Sequence, residues 1–318
     1  GRVMGLLGRV LDASIYYSFD ASGFRRHARA FDPRDLEVDL AGRSYLVTGA
    51  NSGLGFATAE ALVERGATVH LACRNPERGA AAVERLQGRS GTPRLVLLDV
   101  SDQAAIRELG ERWSEPLDGL IHNAGVLPKT RELIDGSERT LATHVLGPWL
   151  LTRLLRDSLE ACPRRARVVW VSSGGMYTKR LSLDDVDWAR RDYDGVAAYA
   201  QTKRMQVVLA EQFAERWGAS GPAVHSMHPG WADTPGVEES LPGFHERLGG
   251  RLRTPAEGAD TIVWLAVAER PAQSSGQLWF DREPRSPYLL PFTRGDAETR
   301  DALWALCEAR AGAPLRAK

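Results

Sequence analysis

Residues 44–66 read SYLVTGANSGLGFATAEALVERG, and the join between the two halves of this stretch decides the fold. The first half is short, apolar and β-branched, as a buried strand is, whereas the second places its apolar residues at helical spacing. Gly49, Gly53 and Gly55 fall between them, where a strand turns into a helix. One glycine permits a tight turn, one lets a phosphate approach the backbone, and one lets the helix pack close to the sheet. The helix N-terminus meanwhile offers free N–H groups to an anion. Glycine at such a turn is common in itself. A strand before it, a helix after it and a second strand at the right distance make this one read as a dinucleotide cradle.

Outward from that turn, further short runs alternate with helical patterns. TVHLAC, RLVLLDV, LDGLIHN, RVVWVSS, AVHSMHP and GQLWF read as strands, and PERGAAAVERLQ and ERTLATHVLGPWLLTRLLRDSLE as helices. This alternation predicts an α/β fold, a single Rossmann-like doubly wound parallel sheet of about seven strands with helices on both faces. Residues 1–41 are expected to form an N-terminal helical extension, 42–285 the Rossmann-fold domain with a substrate loop at about 231–256, and 286–318 a C-terminal tail with a helix.

The 318 residues carry 41 basic and 41 acidic side chains, so no global field recommends nucleic acid or an anionic membrane as partner. Cys73, Cys162 and Cys307 are odd in number and lack metal-ligand spacing, which points to buried thiols in a reducing, cytoplasmic setting. No run of residues is long and apolar enough for a spanning helix. The opening GRVMGLLGRVLDASIYYSFD places Val3, Leu7, Val10, Leu11 and Ile15 at helical spacing. We expect it to dock on the body or on a second subunit rather than on a membrane, and not to be a signal peptide.

The second strand ends in HLACRN, where an acidic residue would hold the ribose hydroxyls of NAD. Arg74 stands there instead, and a guanidinium suits a 2′-phosphate, so NADP(H) is the expected cofactor with NAD(H) left open. Within VAAYAQTKRMQ, Tyr199 and Lys203 lie four apart on one helical face. That spacing alone also fits an exposed surface pair.

Taken in order, TGANSGLG, LLDVSD, HNAG, VVWVSS, YAQTK and HPGWADT resemble the short-chain dehydrogenase/reductase family. FDPRDLEVDLAGR, VSSGGM, SMHPGWADTPGV, PGFH and DREP further resemble its member 12 subgroup, and the likeness runs over nearly the whole chain. The resemblance implies that Asn51, Ser52 and Leu54 join the three glycines at the cofactor phosphates. Asp99 and Val100 would border the adenine, and Asn123, Ala124 and Gly125 would line the ribose. Pro229, Gly230 and Thr234 would lie beside the nicotinamide. It also implies a site in which Ser173 holds the substrate oxygen, Tyr199 is the acid/base, and Lys203 steadies the phenolate and holds the ribose. Ser172 is left as a strand-end residue bonded to backbone.

Hydride transfer to a carbonyl leaves an oxyanion that needs a proton, and a tyrosine can supply it. Its ordinary pKa near 10 makes it a poor base, so the reverse reaction needs a neighbouring charge. The family's usual Asn in the preceding helix is His144 here, which bears on the proton relay through a water on the main-chain carbonyl. Ser173 and Tyr199 are 26 residues apart, and the insertion between them brings Tyr177, Trp188 and Tyr193 as wall or packing residues. Trp231, Leu241 and Phe244 predict an apolar pocket, hence a small hydrophobic carbonyl or alcohol as substrate. His225, His228 and His245 lack the further ligands a metal needs. The alternative function is a cofactor-binding regulatory or scaffold protein with little turnover. An epimerase or dehydratase is disfavoured by the glycine spacing. By resemblance a homodimer or tetramer forms through the helices at 132–159 and 197–217, with a monomer open if the N-terminal segment covers that face.

Overall fold

Seven apolar runs of the sequence become seven parallel strands, in a computed structural model that describes residues 18–233, 243, 246, 249–289, 293 and 295–312. They are β1 (Ser44–Thr48), β2 (Thr68–Cys73), β3 (Thr92–Leu97), β4 (Gly119–His122), β5 (Arg167–Val171), β6 (Ala223–Met227) and β7 (Leu278–Phe280). An eighth, β8 (Glu283–Arg285), pairs antiparallel with β7, giving the order β8-β7-β6-β5-β4-β1-β2-β3. The sequence reading stopped at about seven because the hairpin turn is disguised. Its two central residues, Asp281 and Arg282, both have positive φ (50° and 58°), a conformation usually marked by Asn-Gly. Here Arg282 is held by paired hydrogen bonds to Asp260 at 2.9 and 2.6 Å instead.

The central strands are buried along their whole length, and the edges β3 and β8 carry exposed residues. Successive residues face opposite sides. Leu46, Leu120, Val168 and Trp170 pack beneath α4 (Gln103–Arg112), α5 (Gly147–Leu154), α6 (Gly195–Trp217) and α8 (Ala297–Ala311). Val47, Val69, Ile121 and Val169 pack beneath α2 (Gly53–Glu64), α3 (Pro76–Leu86) and α7 (Pro255–Val267). Each such side chain contributes about 1.5–3 kcal/mol through burial.

The helical face around α5 and α6 is covered by the C-terminal helix. Leu303, Trp304, Cys307 and Ala311 recur every three or four residues of α8 and enter the core there. Trp304 meets Trp149 at 5.4 Å and Phe213 at 4.9 Å between ring centroids. Arg300 pairs with Glu211 and Glu215, and Arg310 clasps Asp187 at 2.8 and 2.7 Å.

Residues 18–37 dock elsewhere, along α7 and across the ends of the strands. The short α1 (Ala21–Ala28) starts on Asp20, whose carboxylate caps Gly23 N at 3.0 Å. Trp264 Nε1 donates to Asp35 at 2.8 Å, and His27 Nδ1 lies 2.6 Å from Asp281. The amphipathic positions Val3 to Ile15 lie outside the described residues.

Candidate active site

The turn after β1 has the backbone that its glycines imply. Gly49 and Gly53 take φ of +66° and +54°. A Cβ on Gly55 would come within 2.3 Å of the Gly49 carbonyl oxygen and 2.4 Å of Asn123 Nδ2, so only glycine lets α2 start so close to the sheet. The helix ends sharpen this. α3, α4, α6, α7 and α8 each begin under a side-chain cap, from Asn75, Asp102, Asp194, Thr254 and Asp296. α2 does not: Ser52 at its N-cap makes no capping hydrogen bond and is exposed. Its first N–H groups are therefore left for an anion, as a dinucleotide pyrophosphate requires. The residues present fit that group.

Asn123 ties the cradle to the sheet. Its Nδ2 donates to the carbonyls of Thr48 (3.0 Å) and Gly49 (3.3 Å), while Thr48 Oγ1 accepts from the N–H of Asn123 and of Ala124 at 3.1 Å. Thr48 escaped the sequence reading, although its place directly before the first glycine was a usable signal. Asn51 and Leu54 are half-buried around the turn. Arg74 is exposed at the end of β2. Beyond β3, Asp99 Oδ1 accepts from Ser101 N and Oγ at 2.9 and 2.6 Å, a tight turn that buries Val100, and Asp102 caps α4.

Ser173 leaves β5 at the C-terminal edge of the sheet, and its half-buried hydroxyl accepts from Gly175 N at 3.3 Å. Tyr199 and Lys203 project from α6 towards it. Burial pushes the Tyr199 phenol up to about 12, and the hydrogen-bonded Ser173 hydroxyl partly offsets this. Lys203 Nζ lies 5.3 Å from the Tyr199 ring centroid and donates to the Val171 carbonyl at 2.8 Å. Its burial lowers the ammonium to about 7. The lysine therefore meets the face of the ring and a strand carbonyl, and the shift on the phenol is set by desolvation and Ser173. Ser172 Oγ donates to the Lys203 carbonyl at 2.8 Å, so the strand-end serine fastens the helix that carries the tyrosine.

His144 sits in a π-helical turn, Ala142–Leu146, that runs into α5. Its Nε2 accepts from Val126 N at 2.9 Å, so the proton is on Nδ1, which faces Thr202 Oγ1 at 2.8 Å. Thr202 passes its own proton to carbonyls of α6, at Ala198 (3.2 Å) and Tyr199 (3.0 Å). Burial, with Lys203 nearby, holds the imidazole neutral, well below its usual range. The His144 carbonyl accepts from Gln206 Nε2 at 2.9 Å. Thr202 and Gln206 were missed in the sequence, where only their place on the Tyr199–Lys203 helix marks them.

Pro229, Gly230 and Trp231 follow the C-terminal end of β6 and are half-buried. Trp231 stands edge-on to Phe19 at 5.9 Å, and Tyr177 meets His228 at 5.7 Å. Trp188 and Tyr193 instead pack on each other at 5.5 Å, with the Tyr193 hydroxyl donating to Glu138 at 2.9 Å. His225 is structural: Nε2 donates to the Pro271 carbonyl at 2.9 Å, and Nδ1 accepts from Trp279 Nε1 at 3.1 Å. Thr234, Leu241, Phe244 and His245 lie outside the described residues.

The short chain dehydrogenase family profile matches residues 43–243. The chain is 45% identical over 284 residues to dehydrogenase/reductase SDR family member 12 of Bos taurus, covering 87% of this chain and 88% of that one. It is 33% identical to human retinol dehydrogenase 13 over 85% of this chain and 84% of that one. A crystal structure of an uncharacterised protein from Mycobacterium paratuberculosis superposes with a TM-score of 0.70 at 28% identity, covering 88% of this chain and 98% of the other. The glycine turn, the sheet order and these likenesses converge: the chain belongs to the short-chain dehydrogenase/reductase family of NAD(P)-binding oxidoreductases and is similar to its member 12 over most of its length.

Proposed function

We propose that the chain reduces a small hydrophobic carbonyl compound with NADP(H), using Tyr199 as the proton donor. The observation that carries this reading is the meeting of Ser173, Tyr199 and Lys203 at the sheet edge beside the uncapped end of α2. Ser173 Oγ–H would hold the carbonyl oxygen, and the Tyr199 O–H would give it a proton. A phenol raised to about 12 stays protonated at neutral pH, as the proton donor to a carbonyl oxygen must be. Lys203 would hold the ribose and, when charged, favour the phenolate that the transfer leaves behind. His144 has both ring nitrogens engaged, so we read it as a positioning residue that holds Val126 and Thr202, rather than as a carrier of the proton.

The dinucleotide, when bound, supplies the hydride. Gly49, Asn51, Ser52, Gly53, Leu54 and Gly55 would hold its phosphates, Asp99 and Val100 its adenine, and Asn123, Ala124, Gly125 and Lys203 its ribose. Pro229, Gly230 and Thr234 would face the nicotinamide, and Arg74 the 2′-phosphate. The aromatic surroundings of Trp231 and Tyr177 support a hydrophobic substrate. We further read the chain as cytoplasmic, which its three buried free cysteines support, and as a monomer through the α5/α6 face, because α8 covers it. Among the described residues no helix is long and apolar enough to cross a membrane.

The test is NADPH oxidation with a panel of lipophilic aldehydes and ketones, run beside Tyr199→Phe. The variant should lose about 10²–10⁴-fold in turnover while keeping its affinity for NADPH. Equal activity in both proteins, or none in either with cofactor still bound, would sink the catalytic assignment and leave the scaffold reading.

A further inference from the structure

Outside the catalytic group, a dense buried polar cluster surrounds Arg253, and it does not touch Ser173, Tyr199 or Lys203. Its side chain is 1% exposed and makes six hydrogen bonds among the described residues. Two go to the carboxylate of Asp281 at 2.6 and 2.9 Å. The others go to the carbonyls of Ser18 (2.9 Å), Phe19 (3.0 Å), Asp20 (3.2 Å) and Pro229 (3.2 Å). One guanidinium thus binds the N-terminal segment to the loop that follows β6. The loop answers directly, since Trp231 N donates to the Phe19 carbonyl at 2.8 Å.

The clamp delivers one side chain to the catalytic edge. The Phe19 ring crosses the ends of β5 and β6, and a Cβ built on Gly174, the residue after Ser173, would come within 2.5 Å of its Cε2. The ring also touches His228 (4.7 Å), Trp231 (5.9 Å) and Phe280 (5.2 Å). Phe19 therefore lies beside the residue after Ser173 on the β6–β7 side of β5, away from β1 and the glycine cradle.

Resting on the reading of this edge as a carbonyl-reducing site, we propose that the N-terminal segment forms a wall of the substrate pocket and that Phe19 determines the size of substrate it accepts. Gly174 is small because the ring lies against it. Arg253 and Asp281 are positioning residues that hold the wall in place. A bulky group next to the carbonyl meets the Phe19 ring, whereas a compact one does not.

The experiment compares wild type with Phe19→Ala and Phe19→Leu on benzaldehyde and naphthaldehyde with NADPH. Equilibrium binding of benzyl alcohol and naphthylmethanol to the NADPH-loaded proteins runs beside it, a combination that cannot react. Phe19→Ala should raise the ratio of bulky to compact kcat/KM by at least about tenfold, and the ratio of alcohol affinities likewise, with Phe19→Leu between. A residue that only supported the fold would move both substrates together. Ratios unchanged within about twofold in both measurements overturn the proposal. If wild type turns over neither aldehyde yet the affinity ratio shifts, the wall stands and the reading of this edge as a carbonyl-reducing site fails. Gly174→Ala adds a readout free of substrate: it should lower the melting temperature of wild type, and of Phe19→Ala much less. An equal loss in both backgrounds would count against the contact on which the wall depends.

Discussion

Acid should destabilise this protein far above the pH at which its carboxylates protonate. His122, His144, His225 and His228 are each at most 1% exposed. Burial depresses His122 and His228 to about 3 and His225 to about 4, and it pushes His144 well down as well. In the unfolded chain each titrates near 6.5, so between that value and the folded one the unfolded state binds the extra proton and stability falls as pH falls. At about pH 5.5 the loss is about 1.4 kcal/mol per histidine, or about 5.5 kcal/mol for the four. That is a large part of the roughly 5–15 kcal/mol a domain has. Lys203, also depressed, has the same sign in a higher window: its burial penalty is full below about 7 and is relieved as pH rises towards its unfolded value. Urea unfolding followed by tryptophan fluorescence at about pH 7.5 and 5.5 measures the difference, and His225→Gln should remove about a quarter of it. A change below about 1.5 kcal/mol would mean that these imidazoles gain protons in the folded state, and the neutral assignment of His144 would fall with them.

Three further outcomes can be checked. Arg74→Asp should weaken NADPH binding by tenfold or more, on the order of a lost charge-assisted pair, and NADH binding little; parallel losses in titration calorimetry would remove Arg74 as the phosphate reader. Gly55→Ala places a methyl carbon against the Gly49 carbonyl and Asn123 Nδ2, so it should cost about 1–3 kcal/mol in chemical unfolding and most of the dinucleotide affinity; an unaltered variant would refute the cradle geometry. Truncation after residue 296 uncovers Trp149 and Phe213, which α8 packs against, and light scattering should then detect self-association that the full chain lacks.

The parts of this architecture that were legible in sequence are those in which a residue type answers to a local physical demand. The central strands are buried throughout and mostly apolar because helices cover both faces, which is why SYLVT and RVVWV read so plainly. Gly49 and Gly53 announce backbone angles that other residues resist. Tyr199 and Lys203 share a face by helical arithmetic. What escaped depends on distant partners. Arg253 in GRLRTPAEG looks like a solvated arginine, and its burial rests on a carboxylate 28 positions on and on carbonyls more than 230 positions back. Phe19 has no periodic neighbour to mark it. The eighth strand was hidden because Asp281 and Arg282 take positive φ with tertiary ties in place of glycine.

His144 shows how such ties constrain substitution at the site. The imidazole bridges two elements, accepting from Val126 N on one side and meeting Thr202 on the other, while its carbonyl takes Gln206. An asparagine, the residue the resemblance expects there, ends at the level of Nδ1, one bond short of Nε2. In this backbone it can meet Thr202 but leaves Val126 N unsatisfied unless the loop closes inward, and an unpaired donor below the surface costs about 1–3 kcal/mol. The loop in question continues from Asn123, which ties the glycine turn to the sheet. The histidine is therefore matched to the position of that loop, and its exchange acts on the cofactor side of the site before it acts on the proton.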